Sequence, residues 1–187
     1  MRKLDIVFDM DDVLWDLLGE WVRTLNEIHG TSVTRDDITV WDMQQAFPTL
    51  SHDELYAPLK ERDFWKRVKP LDDAAAYIDK LVNQGHSVYL CTATDYRNIA
   101  YKVELLKKYF PMIPLKRMIT AYNKSMIACD VIVDDGAHNL QGENSRYKIV
   151  LDTPYNQTGF EEDGAFKFRA YNWDDIYRII DRIANAY

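Results

Sequence analysis

Acidic residues stand close together at two points of this sequence where they could do chemistry. Asp9 and Asp11 follow the first short apolar run of the chain, and Asp134 and Asp135 follow a later one. If both runs are strands of one parallel sheet, their carboxyl ends can be neighbours and the carboxylates meet. Clustered carboxylates repel one another, and a hard cation such as Mg²⁺ offsets that repulsion. The residues therefore predict a magnesium site, the alternative being solvated turns.

Two further positions favour a phosphate ligand beside these carboxylates. A predicted strand from Ser87 to Cys91 ends at Thr92, whose hydroxyl could bind a phosphate oxygen together with backbone N–H groups from Ala93 onward. Lys124 lies on a predicted turn before Asp134 and could neutralise phosphate charge. A lone lysine is usually a solvated surface group, so Lys124 indicates a phosphate site only in combination with the other residues.

Strands and helices alternate along most of the chain, which predicts an α/β fold. The pattern indicates a Rossmann-like, doubly wound parallel sheet with helices on both faces. The predicted strands are residues 4–8, 87–91, 117–120, 131–133, 148–151 and 167–171, and the main helices are 16–30, 71–84, 95–109 and one from about 174.

Residues 16–70 interrupt this alternation, because they show helical signals only. Thr34 and Ser51 each precede an acidic residue by three positions, which resembles the capping of two short helices. The expected organisation is a catalytic core formed by residues 1–15 and 71–187, with 16–70 as a small helical cap inserted after the first strand.

Composition narrows the possible partners. The formal net charge is −7 and there is no long Lys/Arg run, which argues against binding to polymeric nucleic acid but permits a small anionic substrate. No stretch reaches the roughly 18 apolar residues of a membrane span, so no membrane partner is expected. The first residues lack the apolar core of a signal peptide, and Cys91 and Cys129 read as buried thiols. We therefore expect a cytoplasmic protein.

The ordered set of polar residues resembles the haloacid dehalogenase superfamily. Its phosphatases carry D-x-D, a Thr or Ser, a Lys and a final acidic pair in that order. The corresponding residues here are Asp9-Met10-Asp11, Thr92, Lys124 and Asp134-Asp135. The resemblance spans residues 5 to about 152 and implies the same fold.

A closer resemblance is to the 5′(3′)-deoxyribonucleotidase family, which has a similar length, a helical cap and an Asp-Met-Asp opening. Three more segments are similar to that family: Phe64 to Leu71 at the cap exit, Leu151 to Asn156 in a late loop, and Asn172 to Asp175 near the end. The resemblance implies a Mg²⁺-dependent phosphomonoesterase acting on nucleoside monophosphates, in particular deoxyribonucleotides.

The roles of individual residues follow from this resemblance. Asp9 would attack phosphorus to form an aspartyl phosphate, and Asp11 would protonate the leaving alcohol and then deprotonate the hydrolytic water. Mg²⁺ would be held by Asp9, the backbone carbonyl of Asp11 and Asp134, with Asp135 behind them or bound through water. Lys124, Thr92 and Ala93 would bind the remaining phosphate oxygens.

The chain departs from the family at the mouth of the expected site. Asp12 stands where the family usually has Gly, Thr92-Ala93-Thr94 replaces Thr-Ser-Pro, and Gly136-Ala137-His138 replaces the Arg-Pro that follows the acidic pair. These departures bear on substrate choice, since Thr94 and His138 would lie near the mouth.

Aromatic residues in the cap could stack on a nucleobase or could simply form the core of the cap. The candidates are Trp41, Phe47, Phe64 and Trp65, with Trp15 just after the acidic loop. Phe64 and Trp65 precede the cap exit, and we expect at least one of them to face the site entrance.

Two other functions stay open: a phosphatase of the same fold for another small ester such as a sugar phosphate, and a non-catalytic binding module. The intact set of polar residues argues against the second.

Overall fold

Six parallel strands form a single sheet in the computed structural model, which describes residues 1–186. The spatial order is β3-β2-β1-β4-β5-β6. The strands are β1 (Asp5–Asp9), β2 (Ser87–Thr92), β3 (Met118–Thr120), β4 (Cys129–Asp134), β5 (Ser145–Leu151) and β6 (Lys167–Ala170). The predicted α/β class with a doubly wound parallel sheet is confirmed, and β4 and β5 are longer than their apolar runs suggested.

The α-helices are α1 (Leu17–His29), α2 (His52–Tyr56), α3 (Arg62–Arg67), α4 (Ala74–Asn83), α5 (Ile99–Tyr109) and α6 (Trp173–Asn185). Helix α1 begins where the Asp16 side chain accepts a hydrogen bond from Gly19 N at 3.0 Å. It ends at Gly30, which adopts the left-handed conformation with φ 67° that glycine tolerates without a steric penalty. Both ends agree with the sequence prediction.

Apolar side chains of the strands alternate between the two faces of the sheet. Ile6 and Phe8 belong to the larger apolar cluster, which also contains residues of α4, α5 and α6, whereas Val7 belongs to the smaller one. Leu140 and Phe160 complete the smaller cluster from turns and loops. One face of the sheet is therefore covered by helices and the other mainly by short turns and loops. The prediction of helices on both faces is met on one face only.

Residues 16–70, here called the helical segment, leave the sheet and return to it at one place. Asp16 N donates to Lys69 O at 2.9 Å, and Leu71 N donates to Leu14 O at 2.9 Å. Trp15 and Pro70 also form an isolated β-bridge. Helices α1 to α3 and several 3-10 turns make up the segment. That this segment forms a cap separate from the catalytic core stays a prediction.

Strand β1 lies between β2 and β4, where the order of the strands reverses. In sheets of this type ligands bind at the carboxyl ends of the strands on either side of that reversal. Phe8 is paired with Val133, so the next residues along the two strands, Asp9 and Asp134, emerge side by side.

Candidate active site

Three carboxylates meet at the carboxyl ends of β1 and β4. One oxygen of each of Asp9, Asp134 and Asp135 lies within 4.8 Å of the others, and all three residues are buried. Burial, followed by the charges of Asp9 and Asp134, raises the pKa of Asp135 well above its usual value. This arrangement of hard oxygen donors fits a divalent cation such as Mg²⁺, because such an ion would offset the repulsion within the cluster.

Lys124 connects two members of this cluster. Its Nζ donates to Asp9 Oδ1 at 2.5 Å and to Asp134 Oδ2 at 2.6 Å. Burial raises the pKa of Asp9 to about 6, against the lowering effect of the Lys124 charge. Burial opposes the charge of Lys124 as well, but the two carboxylates hold its pKa above the usual value. The lysine is therefore a buried cation that fixes the orientation of Asp9.

The second oxygen of Asp134 is held by the loop that follows β4. Asp134 Oδ1 accepts hydrogen bonds from Gly136 N and from Asn139 Nδ2, both at 2.8 Å. Asp135 is held separately: its Oδ2 accepts from the Tyr155 hydroxyl at 2.5 Å, and its backbone carbonyl accepts from Asn156 Nδ2 at 2.8 Å. One oxygen of Asp135 lies within 4.8 Å of an oxygen of Asp9 and of Asp134, so Asp135 could contact a cation directly, and its expected outer position stays a prediction.

Asp11 faces a different partner, Lys102 of helix α5. The Lys102 ammonium pairs with Asp11 Oδ2 and also donates to Thr92 Oγ1 at 2.8 Å. The other Asp11 oxygen accepts from Trp15 Nε1 at 2.9 Å. Lys102 is only 1% exposed. Asp11 is therefore oriented by a buried lysine and an indole, apart from the three clustered carboxylates.

Sequence reasoning missed Lys102, although a signal was present. Lys102 precedes Leu105 and Leu106 by three and four positions, and all three are buried on one face of α5. A lysine in the apolar stripe of a helix must have a buried partner or extend to water.

The structure also changes the interpretation of Thr92. Its hydroxyl is fully buried, contacts Lys102 and does not line the cavity described next.

A cavity of about 490 Å³ opens above these residues. Its floor is charged and its walls are apolar and aromatic. The floor includes Asp9, Asp11, Asp12, Lys124 and Asp135, with Ala93 beside it. The walls are formed by Leu17, Leu18, Trp21, Ile38, Val40, Trp41, Met43 and Tyr56 from the helical segment, with Tyr122, His138, Asn139 and Tyr155 from the loops of the sheet. With a divalent cation at the carboxylates, the arrangement would suit a ligand with an anionic end and a flat apolar end.

The expectation for Phe64 and Trp65 is wrong. Both are buried, at 4% and 3% exposure, and both lie outside the cavity lining. Trp65 Nε1 donates to Leu59 O at 2.9 Å, and its ring stacks on Tyr101 of α5. The physical reason is that α3 packs directly against α5, so its rings form the contact between the helical segment and the core.

Trp41 is the sequence-proposed aromatic residue from the helical segment that does line the cavity. It is 59% exposed, and its ring makes edge contacts with His138 at 4.7 Å and Tyr155 at 5.5 Å between centroids. His138 therefore lies at the mouth, as expected. Thr94 is not among the described residues that line the cavity.

Within residues 1–186, none of the helices is long and apolar enough to cross a membrane.

Comparison with protein families gives one match over nearly the whole chain. The family described as "5' nucleotidase, deoxy (Pyrimidine), cytosolic type C protein" matches residues 2–186. A 5'(3')-deoxyribonucleotidase from Bacillus subtilis is 31% identical over 179 residues, which covers 95% of this chain and 98% of the relative. A second 5'(3')-deoxyribonucleotidase, from Clostridium acetobutylicum, is 28% identical, and the match covers 84% of this chain and 87% of the relative.

Solved structures share the fold at much lower identity. The HAD-hydrolase YfnB from Bacillus subtilis, in a crystal form bound to magnesium, matches with a TM-score of 0.61 at 13% identity. That match covers 97% of this chain and all of the other. A HAD hydrolase of family IA from Entamoeba histolytica matches with a TM-score of 0.57 at 15% identity, over 99% of this chain and 100% of the other. These similarities support the fold alone.

Proposed function

Because this chain belongs to the 5' nucleotidase, deoxy (pyrimidine), cytosolic type C family, we propose that it hydrolyses nucleoside monophosphates, deoxyribonucleotides in particular, through an aspartyl phosphate on Asp9. The enzyme class is that of the phosphoric monoester hydrolases. Magnesium dependence and a cytoplasmic location are parts of the same proposal. The observation that carries it is the cavity that has Asp9, Asp11 and Lys124 on its floor and aromatic rings in its walls.

Asp9 is the nucleophile in this proposal. A carboxylate oxygen attacks phosphorus, the bond between phosphorus and the ester oxygen breaks, and the phosphoryl group is left on Asp9. Lys124 supports this step because it holds Asp9 Oδ1 at 2.5 Å and fixes the plane of the carboxylate. Its positive charge also reduces the repulsion between Asp9 and an incoming phosphate dianion.

Asp11 moves the proton in both half-reactions. It donates a proton to the leaving alkoxide in the first, and in the second it takes a proton from the water that attacks the phosphoryl group and releases Asp9. Both of its oxygens are held, by Trp15 at 2.9 Å and by Lys102. Such fixed partners keep the carboxyl group at the correct side of the phosphorus.

Asp9, Asp134 and Asp135 are the residues whose carboxylates would hold Mg²⁺. The family resemblance adds the backbone carbonyl of Asp11. When bound, the ion would supply positive charge that polarises the phosphoryl oxygens and screens the three carboxylates from the substrate. Gly136 N and Asn139 Nδ2 prepare this site because they orient Asp134 through its other oxygen.

The nucleoside would occupy the aromatic part of the cavity. Trp41 is the wall residue that we propose to contact the base, since its ring is largely exposed and is braced by His138 and Tyr155. The apolar side chains of Leu17 and Ile38 complete the wall.

Phosphate release from a panel of esters tests this function. The panel contains deoxynucleoside and nucleoside monophosphates phosphorylated at the 5′ or 3′ position, several sugar phosphates and p-nitrophenyl phosphate, each with Mg²⁺. The proposal requires the deoxyribonucleotides to have the highest kcat/KM. A preference for sugar phosphates would indicate the alternative named above, a phosphatase of the same fold that acts on another small ester. Absence of turnover on every ester would favour a binding module.

A further inference from the structure

Asp12 has an unusual backbone conformation. Its φ is 56°, in the left-handed region that non-glycine residues seldom adopt, although Asp is better tolerated there than most. A glycine at this position would adopt the same conformation without a steric penalty. A carboxylate at this point therefore adds a contact that glycine cannot make.

The Asp12 carboxylate is buried at the start of helix α1. Its two oxygens accept from Leu18 N at 3.1 and 3.2 Å. Helix α1 is capped by Asp16 as well, so the role of Asp12 is not limited to capping. The remaining contact of its carboxylate is an ion pair with Arg35 Nη2 at 3.2 Å.

Arg35 reaches this position from the helical segment. It belongs to a 3-10 turn, Arg35–Asp37, in which Thr34 N and Oγ1 both donate to Asp37 Oδ2 at 2.7 Å. Its guanidinium pairs with both Asp12 and Asp16, and its side chain is 30% exposed. One arginine thus connects this turn to the loop that carries Asp9 and Asp11.

The residues that follow this turn line the cavity. Ile38 comes directly after it and Trp41 three residues later, and the turn packs against the 3-10 turn that carries Tyr155. Burial lowers the pKa of Arg35, but the charges of Asp12 and then Asp16 outweigh it and raise that pKa above its usual value. A displacement of the Arg35 turn would therefore move the cavity wall made by Trp41, but would leave Asp9 and Lys124 in place.

We propose that the Asp12–Arg35 pair sets the position of the nucleoside-binding wall, and that Arg35 is a positioning residue for the nucleoside part of the substrate. This proposal rests on the proposed function. Partly buried ion pairs such as this one contribute little net stability, because desolvation offsets much of their attraction. The helical segment already has an apolar contact with the core through Phe64 and Trp65. The pair is therefore better suited to fixing one arrangement of the wall than to holding the fold together.

The test compares Arg35→Ala, Arg35→Lys and Asp12→Gly with the wild type and with Arg62→Ala. Arg62 is a matched control because it also joins the helical segment to the core, through an exposed ion pair with Glu104 at 3.0 Å. Two kinds of quantity are measured. The first is the pair of kinetic constants kcat and KM, for a deoxynucleoside 5′-monophosphate and for p-nitrophenyl phosphate, and the second is the rate of amide hydrogen exchange over residues 34–47. Thermal melts establish that each variant is folded.

For Arg35→Ala we expect KM for the nucleotide to rise about tenfold or more, with a change of less than about twofold in KM for p-nitrophenyl phosphate. Exchange over residues 34–47 should become faster. Arg35→Lys should recover part of both effects. Asp12→Gly leaves the Arg35–Asp16 ion pair in place, so its exchange over residues 34–47 should be faster than in the wild type but slower than in Arg35→Ala. Arg62→Ala should change neither quantity.

Equal changes on the two substrates, or an unchanged nucleotide KM, would overturn the proposal. The exchange measurement separates its failure from that of the proposed function. If the wild type does not hydrolyse nucleotides but exchange over residues 34–47 becomes faster in Arg35→Ala only, the pair still positions the wall and the function is wrong. If exchange is unchanged in a folded Arg35→Ala variant, the positioning role itself is refuted.

Discussion

Replacing Lys102 by methionine tests whether this buried lysine acts through Asp11. Methionine has a similar length but no charge, so the change removes the contacts to Asp11 Oδ2 and Thr92 Oγ1 while it keeps most of the packing. General acid–base assistance is typically worth about 10² to 10⁴ in rate. If Lys102 fixes the carboxyl group that moves the proton, its loss should lower kcat for nucleotides about a hundredfold, which corresponds to about 2.7 kcal/mol of activation free energy.

The structure predicts a much smaller effect on stability. Lys102 is almost fully buried, and removing one partner of a buried ion pair normally destabilises a protein because the other charge is left unpaired. That cost is reduced here because the Asp11 carboxylate reaches water. The Asp11 side chain that remains is 23% exposed and keeps its hydrogen bond from Trp15. We therefore expect the melting temperature to change by no more than a few degrees, which would separate a role in the reaction from a role in folding.

The assay is steady-state hydrolysis of a deoxynucleoside 5′-monophosphate and of p-nitrophenyl phosphate, with thermal melts of the same samples. The control is Lys107→Met, an exposed lysine of the same helix, which should behave like the wild type. The loss should be smaller on p-nitrophenyl phosphate, because nitrophenolate leaves without a proton. Lys102→Met combined with Asp11→Asn should be no slower than Asp11→Asn alone. If the loss of kcat in the double variant equals the product of the losses in the two single variants, Lys102 does not act through Asp11. If kcat is unchanged in Lys102→Met, the lysine contributes to packing only.

Three further outcomes are expected. Asp9→Asn should abolish turnover but not lower the melting temperature, since it removes one of three repelling buried carboxylates; retained hydrolysis would exclude Asp9 as the nucleophile. A chelator should remove activity and Mg²⁺ should restore it. Mg²⁺ should also raise the melting temperature of the wild type more than that of Asp134→Asn, and equal shifts in the two proteins would mean that the ion binds elsewhere. Trp41→Ala should lower kcat/KM for nucleotides about tenfold with little effect on p-nitrophenyl phosphate, by analogy with base stacking worth about 1–3 kcal/mol, whereas Phe64→Ala should affect both substrates alike through the fold.

The charged part of the site was largely predictable from sequence because strand ends can be read from short apolar runs. Asp9 and Asp134 each follow such a run, and a parallel sheet places such ends on one edge. Lys124 could be proposed because its place in the order of polar residues resembled a known family. The structure brings it to both carboxylates.

The walls of the cavity could not be predicted in the same way. Which aromatic ring faces the cavity depends on how short helices rotate against the core, and α3, from Arg62 to Arg67, is too short for a clear apolar stripe. Phe64 and Trp65 therefore could not be told from Trp41 by spacing. Arg35 was missed for a related reason, since its partner Asp12 is distant along the chain and surface arginines are common.

The central position of β1 also determines the order in which the protein can assemble during synthesis. β1 is complete at Asp9, but one of its neighbours begins only at Ser87 and the other at Cys129. A nascent chain that has not yet reached β4 leaves one edge of a hydrophobic parallel strand unpaired, a surface prone to aggregation. Pairing at such long sequence separation is slow. The charged groups of Asp9, Lys124 and Asp134 can thus come together only in a late step of folding, after most of the chain has left the ribosome.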